Sequence, residues 1–312
     1  MITCYLWRTL KRTLSEWIAV PFGLCVYTAI RKKGCSDILI CDHIGDFLYT
    51  VGYLKAYKQV NGIMRLRVIS TERFSVLEKY YPGAFDEYKV VSKRRLKWLL
   101  FPYHYRLGRQ AYQGMGVKVV EPASDFADRY EYVTPFPGLT LKDCICYGVL
   151  RLPFECRMDK PVWYRENKSE RNRPLKVFLS PFAAVTRWEP YLQLFRQLSI
   201  TLTECGYKVF KNQDDNSAIQ GTCIKGNLDD FMGLAEQMDW VIGIRSGLLD
   251  LAALIGCRVI ALYPREDKMT SYFDLQRMSE RKEGIWQYRM LDNTKEDVRN
   301  LLEFLEGADR CR

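Results

Sequence analysis

The chain has 312 residues, 48% hydrophobic and 27% charged, which excludes a disordered segment or a disulfide miniprotein and leaves room for two ordinary domains. Lys and Arg total 47 against 37 for Asp and Glu, a net charge of +10 that favours an anionic partner: nucleic acid, an anionic membrane or a phosphorylated small molecule. Eleven cysteines without a C-x-x-C pair, and only His43 and His104, point to free thiols in a reducing compartment and away from a metal site.

Residues 1–35 form a basic and apolar segment. Arg8, Lys11, Arg12, Arg31, Lys32 and Lys33 flank the run from Trp17 to Ile30, and Glu16 is its one acid. The run falls short of the roughly 20 residues that span a bilayer, and Pro21 and Gly23 interrupt it. Two readings stand side by side: an interfacial segment with basic anchors, or a helix packed on the globular body.

Residues 36–165 read as a first α/β domain. An apolar run over 37–41 is a buried strand, 42–46 a turn, and 47–59 carries helical periodicity through Leu48, Val51, Leu54 and Ala56. Strands follow over 65–70, more weakly over 88–91, and over 117–120. Between them, residues 93–118 hold Lys93, Arg94, Arg95, Lys97, Arg106, Arg109 and Lys118 without an acid, interleaved with Trp98, Phe101, Tyr103, Tyr105 and Tyr112. Four prolines break up 123–163. The polar stretch 164–174 reads as a linker.

Residues 166–312 resume a clear alternation: strands over 176–180, 207–210, 240–244 and 258–262, with helices over 190–204, 228–237, 246–255 and 294–306. Strands alternating with helices mean doubly wound parallel sheets, which bind ligands outside the carboxyl ends of their strands. Two facing domains of this kind are expected to share a cleft.

Three strand-end loops carry the chemistry. In Asp42-His43-Ile44-Gly45-Asp46, Asp46 stands at or just before a helix start, placed to act as a general base or to cap backbone amides, and His43 is the alternative base. In Gly243-Ile244-Arg245-Ser246-Gly247, amides at a helix amino terminus suit a phosphate; Ser246 adds a hydroxyl and Arg245 a fork of charged donors. Asp250 lies one turn further on. The third loop runs from Ser180 to Trp188 and offers Thr186 and Arg187 to the same anion. No P-loop, G-x-G-x-x-G or D-x-D occurs, and no nucleic-acid recognition motif accompanies the basic stretch.

Taken together, these blocks resemble the heptosyltransferase family of lipopolysaccharide core assembly, glycosyltransferase family 9. ILICDHIGDFLYTVGYLKAY over 38–57 is similar to the family's opening strand, I-G-D turn and helix, and DWVIGIRSGLLDLAALIGCRVIALYP over 239–264 to its later Ser/Thr-Gly signature. The segment 177–188 resembles its middle block. The resemblance implies the GT-B fold, two Rossmann-like domains, and a metal-independent inverting glycosyltransferase without a cofactor. Such an enzyme takes a nucleotide-diphosphate sugar and a glycan or lipid-linked acceptor, in the cytoplasm or peripherally at the inner membrane. It implies Asp46 as catalytic base, with Ser246 and Gly247 beside the donor diphosphate; Ser180 and Asp250, at the same strand-end loops, are the candidates for the donor sugar or nucleotide. Arg245, Asp250 and Thr186 stand where the family usually has an acid, a His and a Lys, so the donor sugar stays open. A non-catalytic GT-B scaffold of a polysaccharide assembly complex and a nucleotide-sugar epimerase are the alternative readings.

Overall fold

A computed structural model describes residues 16–121, 138–162, 174–181, 189–212, 218–235, 237–265, 272–279 and 283–310. The chain divides into two compact units, residues 1–160 and 161–312, each built on its own parallel sheet.

In the first unit β1 (Ser36–Ile40), β2 (Leu66–Ser70), β3 (Glu87–Val90) and β4 (Lys118–Val120) lie in the order β3-β2-β1-β4. All pairs are parallel. Ile38, Leu39, Ile40, Val68 and Ile69 are buried, as strands covered on both faces require. The chain steps outward from β1 to β3, then returns to lay β4 on the other side of β1. That reversal makes the carboxyl ends of β1 and β4 the switch point of the sheet, where open α/β folds bind ligands.

The helix Ile44–Val60 starts three residues before the periodicity predicts, and residues 45–54 are buried without a break. It is buried all round at that level, Asp46 and Thr50 included, because chain covers its outer side. The Asp159 N–H donates to the Gly52 carbonyl at 2.7 Å, and a Cβ on Gly52 would lie 2.4 Å from Met158 Cγ. Only glycine admits so close a crossing.

Residues 16–28 form one helix that continues through Pro21 and Gly23, so neither interrupts it. Gly23 is a packing site: a Cβ there would lie 2.2 Å from Pro102 Cγ and 2.8 Å from the Trp98 carbonyl. The helix is tied to the sheet through Tyr27, whose hydroxyl donates to Asp37 at 2.7 Å. Asp37 in turn takes two hydrogen bonds of 2.8 Å from the buried guanidinium of Arg67.

The basic stretch 93–118 is two helices, Lys93–Leu100 and Arg106–Gly114, joined by a 3-10 turn at Phe101–His104. Their apolar faces bring Leu96, Leu99, Leu100 and Tyr112 into a core with Tyr27, Leu39 and Ile69. Pro102 sits between two glycines, since a Cβ on Gly108 would meet its carbonyl oxygen at 2.0 Å.

The second unit has six parallel strands in the order β10-β9-β8-β5-β6-β7. They are β5 (Lys176–Ser180), β6 (Lys208–Asn212), β7 (Thr222–Ile224), β8 (Trp240–Ile244), β9 (Val259–Tyr263) and β10 (Ile285–Arg289). β7 and β10 are additions to the strands read from the sequence. The switch point falls between β5 and β8. Helices Glu189–Glu204 and Thr294–Arg310 pack on each other over a core that holds Val177, Leu194, Trp240 and Leu301. The Arg258 guanidinium lies 3.6 Å from the centre of the Trp240 ring.

Among the described residues no two cysteines form a disulfide, and no helix is long and apolar enough to cross a membrane.

Candidate functional site

Each switch point gathers residues singled out in the sequence. In the first unit β1 is followed by Cys41, Asp42 and His43, and β4 beside it is followed by the buried Glu121. The Cys41 N–H donates to the Val120 carbonyl at 3.0 Å, which fixes the two ends side by side. His43 occupies the N-cap position of the helix Ile44–Val60, makes no side-chain cap, and offers its carbonyl to the Phe47 N–H at 3.0 Å. Asp46 is therefore not ahead of the helix, as the sequence suggested. It is the third helical residue, 5% exposed, in the first turn where the helix dipole favours a carboxylate. The Asp46 carbonyl accepts the Thr50 hydroxyl at 2.6 Å.

A polar network next to it was not legible in the sequence. Asp42 accepts the Thr71 hydroxyl at 2.8 Å and pairs with Lys93 Nζ at 2.8 Å, while the Tyr88 hydroxyl donates to the Thr71 carbonyl at 2.5 Å. These groups come from the ends of β1, β2 and β3, elements far apart in the chain, so spacing could not join them. Burial alone would raise the Asp42 pKa, but hydrogen bonds from Lys93 and Thr71 outweigh it and hold the carboxyl below its ordinary value. His43 is exposed by surface area, yet the chain around its ring displaces enough water to lower its pKa. Lys93 and Arg73 push it the same way, against Asp42. The imidazole is therefore neutral at pH 7 and able to accept a proton.

In the second unit Ser180 ends β5 and pairs in register with Gly243 of β8. The approach is close: a Cβ on Gly243 would lie 2.8 Å from both Ser180 Cβ and the Ser180 carbonyl oxygen. Ser246 is the N-cap of the helix Gly247–Leu254, with an extended backbone and no side-chain cap. The Oγ atoms of Ser180 and Ser246 are both buried and have no hydrogen-bond partner among the described residues. The first amides of that helix, at Gly247 and Leu248, have no carbonyl within the helix to pair with.

Arg245 is turned inward. Its guanidinium pairs with Asp250 at 2.6 and 3.0 Å, donates to the carbonyls of Phe273 and Ser246 at 2.8 Å each, and leaves the side chain only 9% exposed. The donors expected to meet a ligand are thus spent on protein acceptors. Asp250, 2% exposed, neutralises Arg245 instead of facing outward. Tyr263 completes this cluster: its hydroxyl donates to the Phe273 carbonyl at 2.9 Å, and burial pushes its pKa up to about 12. Thr186 and Arg187 lie outside the described residues. No group of three or more His, Cys, Asp or Glu among the described residues is arranged to hold a metal ion.

No protein-family profile matches the chain, and no curated protein matches it in sequence. Solved structures do. The ADP-heptose lipopolysaccharide heptosyltransferase II of E. coli superposes with a TM-score of 0.56 at 13% identity, over 88% of this chain and 99% of that one. A family 9 glycosyltransferase from Veillonella parvula gives 0.53 at 12%, over 82% and 86%. The heptosyltransferase TibC, in complex with ADP-D-β-D-heptose, gives 0.53 at 12%, over 84% and 66%. At these identities the likeness is one of fold, and it bears out the expectation drawn from the sequence blocks: the chain has the GT-B architecture found in heptosyltransferases, two Rossmann-like parallel α/β units in succession.

Proposed function

We propose that the protein is a glycosyltransferase that moves a sugar from a nucleotide-diphosphate sugar to a glycan or lipid-linked acceptor in surface-polysaccharide assembly. It would work in the cytoplasm, peripherally at the inner membrane. The observation that carries this reading is the pair of buried, unengaged hydroxyls of Ser180 and Ser246 at the switch point of the second unit, beside the amino terminus of the helix Gly247–Leu254. Hydroxyl donors and free amides at a helix amino terminus are a site for phosphate oxygens. They stabilise the diphosphate as it leaves, which is where charge builds up in the reaction.

The first unit supplies the base. Asp46, in the first turn of its helix, takes the proton of the acceptor hydroxyl as the oxygen attacks the anomeric carbon. The bond to the diphosphate breaks on the opposite side and configuration inverts. No metal ion and no cofactor enter this scheme. Arg245 and Asp250 act as a strut beneath the Ser246 turn. His43, neutral at pH 7, is the second proton acceptor of that edge and orients the acceptor.

The test is Asp46→Asn. Removing a general base costs about 10²–10⁴-fold in rate, so transfer should collapse while calorimetric affinity for the nucleotide diphosphate stays within twofold to threefold. Full activity in that variant removes Asp46 from the chemistry. Consumption of the donor without an acceptor, yielding an isomeric nucleotide sugar, would point to an epimerase. Donor binding with no turnover in any acceptor pool would point to a scaffold.

A further inference from the structure

The helix over 16–28 has two faces. Ala19, Val20, Gly23 and Tyr27 are buried against the first unit. Trp17, Ile18, Pro21, Phe22 and Cys25 are exposed, and at 3.6 residues per turn they fall within an arc of about 140°. That outer face carries no charge, and its one hydroxyl, on the exposed Thr28, is spent on the Leu24 carbonyl at 2.8 Å. Trp17 is 69% exposed and Ile18 72%, a costly display for side chains of this size unless something covers them.

The face continues onto the basic helices. Phe22 meets Trp98 edge to face with ring centres 4.9 Å apart, and Trp98 is itself 40% exposed. Glu16 accepts the Leu107 N–H at 3.2 Å, which places the exposed Leu107 beside the start of the helix. Between the two elements runs a groove of about 440 Å³, with Cys25, Val26, Ala29 and Trp98 as apolar lining and Arg94 and Arg95 beside them. Lys97 and Arg106 are exposed nearby, and no acid occurs anywhere from 93 to 118.

We infer that this composite face docks the protein on an anionic phospholipid bilayer. The helix lies flat in the interface with Trp17, Ile18 and Phe22 among the upper acyl carbons, and Arg94 and Arg95 take lipid phosphates at the mouth of the groove. Charge complementarity selects this occupant. An apolar stripe edged by Arg94, Arg95, Lys97 and Arg106, with Glu16 engaged by the Leu107 N–H, matches a surface that is hydrocarbon below and phosphate above, with tryptophan at the boundary and arginines reaching to the headgroups. The 13 described residues of the helix are fewer than the roughly 20 that cross a bilayer, and its one-sided apolar face suits lying in the plane. The helix Lys93–Leu100 links this face to the candidate active edge, since Lys93 pairs with Asp42 at 2.8 Å. The inference rests on the peripheral-membrane part of the proposed function and not on sugar transfer.

Flotation of the full chain with vesicles of phosphatidylcholine and phosphatidylglycerol (7:3), and of phosphatidylcholine alone, tests it at 0.1 and 0.5 M NaCl. The wild type should float with anionic vesicles at low salt and release at high salt. Each basic residue at such a surface is worth about fivefold in partition, so Arg94→Gln with Arg95→Gln should lose roughly 25-fold. Trp17→Ser with Phe22→Ser should lose at least tenfold at both salts, while thermal melts of both variants match wild type. Undiminished flotation of both variants refutes this face but leaves a peripheral protein. No flotation of wild type refutes the face and the peripheral location together, whatever the transferase assay shows. A wild-type dimer that Trp17→Ser with Phe22→Ser dissociates, with no vesicle binding, gives the face to a second copy instead.

Discussion

The inward turn of Arg245 leads to a sharp expectation about what holds the Ser246 turn in place. Asp250→Ala leaves a guanidinium that is 9% exposed without its counter-ion. Breaking a buried pair from one side costs about 3–5 kcal/mol, because the surviving charge stays desolvated. Replacing both partners, Arg245→Met with Asp250→Leu, removes the charge altogether. The carbonyls that Arg245 served keep other donors: the Phe273 carbonyl accepts the Tyr263 hydroxyl, and the Ser246 carbonyl accepts the N–H groups of Leu249 and Asp250. No buried acceptor is orphaned, so the double variant should fall within about 1–2 kcal/mol of wild type. Hydrogen exchange of peptides over 240–263, followed by mass spectrometry, reads the free energy of opening β8 and β9 directly. Calorimetric titration with a nucleoside diphosphate provides the second readout. A strut predicts that Asp250→Ala loses stability and affinity together and that the double variant recovers both. A double variant as labile as Asp250→Ala refutes the strut. So does one that is stable but binds more than about tenfold weaker, the loss expected when a charged hydrogen bond to the ligand is removed.

Gly243→Ala forces a methyl against Ser180 at 2.8 Å, and overpacking of this kind costs about 1–3 kcal/mol; the melting temperature should fall by several degrees and nucleotide affinity with it, and a variant that melts like wild type would show that β5 and β8 have slack at their ends. The first unit should respond to pH through Asp42 and His43. Both have folded pKa values below their ordinary ones, so the unfolded chain binds protons first. The stability they confer is complete above about pH 6.5 for His43 and about pH 4 for Asp42, and is lost as pH falls below those values. Lys93→Met should raise both, seen by NMR as an upward move of the His43 titration; a downward move would contradict the placement of Lys93.

The central strands were readable because β1, β2, β5, β8 and β9 are covered on both faces and spell continuous apolar runs. β7 and β10 sit at sheet edges with half-buried residues and have no such run, so Thr222–Ile224 and Ile285–Arg289 carried no pattern to recognise. Local spacing placed the Ser246-Gly247 turn at a strand end opening a helix but gave Arg245 to the ligand phosphate. Its pairing with Asp250 spans five residues across a helix cap, outside the i, i+4 rule that governs helix faces. Gly23 read as a break because its reason lies in Pro102, some 80 residues on, which no window could include. The Asp42, Thr71 and Lys93 cluster was hidden for the same reason: three strand ends make it, and only the sheet order brings them together.

The clasp of Pro102 between Gly23 and Gly108 has a mechanical consequence. It locks three helical pieces into one hard bearing, with the aromatic stripe already laid out on its outside. An amphipathic segment that must fold as it lands loses part of its binding to ordering; this one arrives formed. Contact with a lipid surface should therefore leave the far-ultraviolet circular dichroism unchanged, with any orientation imposed there carried through the helix Lys93–Leu100 to the strand ends beside Asp42.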